Sequence, residues 1–210
     1  FRAEVSKWKG SLWYPPRAVT WINARNPVDG IILCVPPQEV SMKTNALPHY
    51  DDSFNTTGCC PRFNPEGWDG QELHFQDKDF VRATTRSAMH VPLNMGKVFG
   101  RVQEGIADAG AYDPDNMMVL SRELSPWQAE HLFAVSKDVP GEEKIKLSGT
   151  FVTKVFEGPY SQMASWGTQM QDLARQKSGT SDEVYFFYTT CPKCAKAYGK
   201  NYVVGVARLA

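Results

Sequence analysis

Glu157 ends the alternating run Lys154–Phe156 and is followed at once by Gly158-Pro159 and the bulky Tyr160. A carboxyl held between Phe156 and Tyr160 in a partly dry cleft resists ionisation. It then has a usable pKa as a general acid or base, or serves as the counter-charge of a cationic ligand. The plainer alternative is a solvent-exposed carboxylate at a strand end or helix start. His90 holds the equivalent place in a second instance of the pattern, Met89-His90-Val91-Pro92-Leu93. There an imidazole can donate to a ligand or relay a proton, against the commoner role of a satisfied strand-end histidine. Tyr185-Phe186-Phe187-Tyr188 reads as an aromatic strand. Its alternate side chains face opposite ways, so either Tyr185 with Phe187 or Phe186 with Tyr188 reaches a cleft, and the other pair is core.

Cys191-Pro192-Lys193-Cys194 has zinc-knuckle spacing, and Cys59-Cys60 supplies two more thiols. Together they complete a tetrahedral thiolate set if the fold joins the two loops. A structural zinc, a disulfide or redox pair, and free thiols in a tight turn all fit this pattern. No open coordination position is evident, so the chemistry itself requires no cofactor. No glycine-rich phosphate loop precedes a helix, and Gly96 and Gly100 read as close-packing positions.

The elements that must position these groups repeat. Strand patterns at Leu73–Gln76 and Asp79–Val91 stop at Pro92; Asn94 can cap a helix carrying Val98, Val102, Ile106 and Ala109, and Gly110 closes it. Met117–Leu120 and His131–Val135 read as short strands joined by a connection over 121–130. The order then recurs: a long strand Ile145–Phe156, a helix capped by Ser161 with Met163, Trp166, Met170, Leu173 and Ala174 on one face, and strands Val184–Thr189 and Tyr202–Leu209. The expected fold is α+β: duplicated β-α-β-β units over about 79–137 and 145–210, forming one antiparallel sheet with two helices on one face. His90 and Glu157 would then flank a central cleft.

Residues 1–58 read as an irregular arm preceding a domain over 59–210. Trp8, Trp13, Tyr14 and Trp21 are interleaved with Pro15-Pro16, Pro27, Pro36-Pro37 and Pro48, which forbids regular helix. Only Gly30–Val35 is strand-like. Tryptophans are costly to leave in water, so the arm is expected to lie against its own domain or against subunits of a larger complex. With 23 basic and 23 acidic residues the net charge is zero, which gives no support to nucleic-acid binding. No apolar run is long enough for a membrane-spanning helix. Five cysteines without framework spacing fit a reducing, intracellular compartment. A start at Phe1 admits a removed organellar, for instance mitochondrial, presequence as readily as a truncated start.

The run GTFVTKVFEGPY (149–160), followed by an amphipathic helix, resembles the second half of GyrI-like small-molecule-binding domains. A closer resemblance is to a branch of that family described as hydrolases. It rests on CCPRF at Cys59–Phe63, the H-x-P-L-N-x-G-x-V segment His90–Val98, Ser125-Pro126-Trp127, FEGPY at Phe156–Tyr160, and YFFYTTCPKCAKAYGKNYVV at Tyr185–Val204. The resemblance covers about 59–210 and implies an aromatic-lined central cleft for flat or cationic small molecules. In some relatives Glu and Tyr hydrolyse reactive electrophiles. The implied catalytic residues are Glu157, Tyr188 and His90, with Trp127, Tyr160 and Tyr185 as ligand contacts. Binding without turnover is common in this fold, so a non-catalytic accessory subunit docked through residues 1–58 is the alternative.

Overall fold

Two unusually long strands decide the architecture: β1 (Glu72–Ala88, 17 residues) and β5 (Glu143–Glu157, 15 residues). Between and after them come β2 (Val91–Pro92), α1 (Met95–Asp108), β3 (Val119–Ser125), β4 (Gln128–Ala134), α2 (Met163–Ser178), β6 (Val184–Tyr188), α3 (Pro192–Tyr198) and β7 (Tyr202–Arg208). The structure, a computed structural model, describes residues 43–50, 53–179 and 183–210. The Trp/Pro-rich stretch through position 42, with its strand-like Gly30–Val35 and its expected docking role, lies outside the described residues.

The strands do not form an open sheet with helices on one face. They run β1-β4-β3-β6-β7-β5, all antiparallel, and β5 pairs back onto β1 to close a six-stranded barrel; the two-residue β2 hangs on the end of β1. Strand length is the reason. β1 pairs with β5 over Glu72–Arg82 and with β4 over Phe80–Arg86, while β5 has Phe151–Glu157 left to pair with β7. A register shift between Phe75 and Lys78, with Asp77 at φ +49°, coils β1 so that its two halves serve different neighbours. Closure puts the core inside the barrel, and the helices pack on its outer wall. α1 covers Val81, Ala83 and Phe133 through Val102 and Ile106, and α2 covers Val152, Phe156, Val203 and Ala207 through Trp166, Met170 and Ala174. Gly205 of β7 makes room for α2, since a Cβ there would lie 2.5 Å from Met170 Sδ.

The barrel is filled from end to end. Phe75, Phe80, Leu120, Leu132, Phe151, Phe187 and Val206 occupy its middle. Tyr50, Phe63 and Trp68, from the segment preceding β1, plug one mouth; the Trp68 ring lies 5.7 Å from both Phe63 and Phe187. Charges fill the other mouth. Glu130 accepts from Arg82 Nε and Arg122 Nε, both at 2.7 Å. Arg82 also reaches Glu143, while Glu183, the residue before β6, takes Arg122, Arg208 and the Tyr185 hydroxyl. Every barrel strand thus contributes to the apolar core or to this plug, and a ligand must bind outside.

Local capping differs from the sequence expectation. Asn94 precedes α1 but makes no side-chain cap; its Oδ1 accepts the Arg86 N–H at 2.7 Å and ties the helix start to β1. A single 3-10 turn, Tyr160–Gln162, intervenes before α2, so Gln162 rather than Ser161 takes the cap position. The loop Thr190–Asn201 contains α3, which ends at left-handed Gly199.

Candidate functional site

Ser121 of β3 is paired with Phe186 of β6. The neighbours Leu120, Tyr185 and Phe187 belong to the barrel core, so Ser121 and Phe186 face outward. By the same period of two, Glu123 and Tyr188 share that outer wall. α1 borders it on the β1/β4 side and α2 on the β7/β5 side. The result is an outward-facing strip between two helices.

At one end of the strip His90 Nδ1 lies 2.7 Å from Glu123 Oε2, with both side chains more than half exposed. The backbone holding the imidazole is unusual. Ala88 pairs with Val91, so Met89-His90 is a two-residue hairpin loop, and both residues are left-handed at φ +49° and +69°. A primed turn of this kind favours Asn-Gly, because left-handed backbone costs an ordinary side chain about 1–2 kcal/mol. Two hydrogen bonds lace it to the β3–β4 turn: His90 N–H to the Pro126 carbonyl at 3.0 Å and Ser87 N–H to the Trp127 carbonyl at 2.8 Å. Around this pair Met89, Val91, Leu93, Leu124 and Trp127 stand exposed, Met89 and Leu93 at 68%.

Tyr188, at the far end of β6, has its ring 5.8 Å from that of Tyr160. It is 41% exposed, yet enough protein surrounds it that burial, with a smaller push from Glu123 and Tyr160, drives its pKa up to about 12. Its hydroxyl therefore stays a neutral donor at neutral pH. Tyr160 is fixed by donating to the Thr190 carbonyl at 2.8 Å, and burial raises its pKa too.

Immediately beyond Thr190 the four described cysteines converge. The sulfurs of Cys59, Cys60, Cys191 and Cys194 all lie within 4.8 Å of one another, with Cys59 and Cys60 at 3.6 Å. A zinc–thiolate bond of about 2.3 Å gives tetrahedral sulfur–sulfur edges of about 3.8 Å, so the set fits a metal such as zinc without large movement. Thr57 assists: its hydroxyl bonds Cys194 and holds that thiol down at about 7, whereas burial pushes Cys60 up to about 12.

A family model described as Bacterial hydrolase matches residues 50–209. The chain belongs to that bacterial hydrolase family. No curated protein matches the chain.

The remaining sequence candidates of this family member are placed apart from the strip. Glu157 ends β5 beside Tyr202, about half exposed, and pairs with Lys200 at 3.1 Å. That hydrogen bond lowers its pKa, the reverse of the rise expected from a dry cleft. By strand direction it sits at the opposite end of the barrel from His90. Tyr185 points inward, 1% exposed, with Arg122 stacked 5.0 Å over its ring. His90 and Trp127 are brought together, as are Tyr160 and Tyr188. The sequence reading missed Glu123, whose only local signal is its place three residues before Pro126, and a buried chain in which His131 meets Ser121 Oγ at 2.8 Å and Thr85 Oγ1 at 2.9 Å. An apolar hollow of about 270 Å³ lies under α1, lined by Ile106, Ala107, Met117, Val119 and Phe133, with Tyr112 its only titratable neighbour. It offers no group for bond cleavage. Among the described residues no helix is long and apolar enough to cross a membrane.

Proposed function

We propose that this chain hydrolyses a small, largely apolar or aromatic molecule bound on the outer face formed by the β1–β2 hairpin and the β3–β4 turn. The observation that carries this reading is the collection of exposed apolar side chains, Met89, Val91, Leu93, Leu124 and Trp127, around one exposed histidine, on a barrel whose interior has no room. Contiguous apolar surface rimmed by polar groups marks a binding site. Trp127 offers the ligand a flat face, while Tyr188, toward the other end of the wall, keeps a neutral hydroxyl beside the Tyr160 ring, whose own hydroxyl is donated to Thr190. Family membership supports hydrolysis as the reaction. Glu157, ionised and held by Lys200, is not the base in this reading.

A panel of phenyl and 1-naphthyl esters and aryl lactones, assayed with wild type and Trp127→Ala, tests it. Removing the indole should raise KM about tenfold, consistent with loss of an aromatic contact worth about 1–1.5 kcal/mol. Failure of wild type to hydrolyse any member, or an unchanged KM in the variant, would count against the reading.

The four-cysteine cluster is proposed to hold one structural zinc ion. Cys59, Cys60, Cys191 and Cys194 would all be ligands, leaving no open position for substrate. Its contribution is to tie the segment that plugs the barrel mouth to the β6–β7 connection carrying the Tyr160 anchor.

A further inference from the structure

We infer that His90 and Glu123 form a water-activating dyad: Glu123 fixes the imidazole through Nδ1, and Nε2 takes a proton from the water that attacks an acyl ester. This deepens the hydrolase reading above and rests on it.

The geometry gives the pair its division of labour. A carboxylate 2.7 Å from Nδ1 accepts that N–H, which leaves the Nε2 lone pair as the basic site and sets the tautomer. An exposed ion pair alone would not require the backbone seen here. A surface histidine can meet a carboxylate from any strand, yet this one occupies the second position of a two-residue loop in which neither residue is glycine and both are left-handed. Strain of this kind persists where surrounding structure over-determines it, and it gathers at functional sites. Here the Pro126 carbonyl and Glu123 grip His90 from one side, and the paired β1–β2 hairpin holds the other. The same turn leaves Met89 exposed, as is Trp127 on the β3–β4 turn to which it is laced. An apolar substrate laid across these side chains would displace water and strengthen the dyad's electrostatics.

The chemistry balances without an added reagent. As the water oxygen bonds to the ester carbonyl carbon, one water proton passes to Nε2 and the carbonyl π pair moves to oxygen. The imidazolium is balanced by ionised Glu123. The tetrahedral intermediate then reforms the carbonyl, the carbon–alkoxide bond breaks, and Nε2 returns its proton to the leaving oxygen. Acid and alcohol depart, and His90 is neutral again. His90 is the catalytic residue and Glu123 a positioning residue.

The test combines nitrogen-15 NMR of the histidine side chains with turnover of a 1-naphthyl ester. Wild-type His90 should carry its proton on Nδ1. Glu123→Gln, whose amide can donate to Nδ1, should move the proton to Nε2 and lower kcat about 100-fold with KM within about threefold, and Glu123→Asp should recover part of the loss. Both residues are exposed, so circular dichroism should show the variants folded. A wild-type proton on Nε2, or His90→Gln retaining kcat within about threefold, would overturn the dyad. If wild type hydrolysed no ester while the tautomer behaved as expected, the hydrolase reading would fail and the Glu123–His90 orientation would stand; turnover unchanged in Glu123→Gln and in His90→Gln would sink the dyad alone.

Discussion

Arg122 Nε reaches Glu130 Oε2 at 2.7 Å inside the barrel mouth, and the same carboxylate takes Arg82 from the other flank. Glu130 is 3% exposed. Removing it takes one carboxylate from each guanidinium, leaving Arg82 with Glu143 and Arg122 with Glu183, and losing charged hydrogen bonds of this kind costs about 1.5–3 kcal/mol. Glu130→Ala should therefore destabilise by an amount of that order in urea unfolding. A change below about 1 kcal/mol would mean that solvent reaches the plug freely.

His131 is buried between Thr85 and Ser121 under the Phe99 ring, and burial lowers its pKa to about 4, with Glu130 opposing weakly. The unfolded chain binds this proton near the ordinary value of about 6.5. Between these two values the unfolded state is the more protonated, so stability is complete above about pH 6.5 and is lost as pH falls toward 4. The loss at this site is about 3 kcal/mol. His131→Asn should flatten that part of the stability–pH curve relative to wild type; parallel curves would show that His131 does not titrate this way.

Zinc should co-purify at about one equivalent per chain and survive dialysis, since four thiolates bind strongly. Cobalt substitution should give the visible absorption of a tetrahedral thiolate site, and Cys194→Ser should weaken retention and lower the melting temperature. Metal content below about one tenth of an equivalent from protein prepared under reducing conditions would rule the site out.

Replacing Met89-His90 by Asn-Gly should relieve the left-handed strain and raise stability by about 1–2 kcal/mol. The same double variant should lose ester hydrolysis, because the imidazole is gone. A stability gain with activity retained would separate the turn from the chemistry.

Much of the local structure was legible because it is written in short-range pattern. The apolar period of Met163–Ala174 gave α2, the alternation of Ile145–Phe156 gave most of β5, and thiol spacing singled out Cys59, Cys60, Cys191 and Cys194, which the fold does bring together. Only the outer ends of β3 and β4 were legible; the tip of their hairpin, over 121–130, reads from sequence as a connection. Its inward positions carry Arg122 and Glu130, charges that break the apolar alternation and make sense only once paired with each other across the strands. Barrel closure was hidden too, since pairing β1 with β5 joins residues about seventy positions apart and depends on strand length and coiling rather than residue type. Tertiary structure likewise decided which tyrosine faces out, set Lys200 against Glu157, and brought Glu123 to His90 across 33 positions. Sequence fixes which groups are available and which elements carry them, because propensity and periodicity act over a few residues. Their partners are set by long-range strand pairing, and with them the direction of each pKa shift.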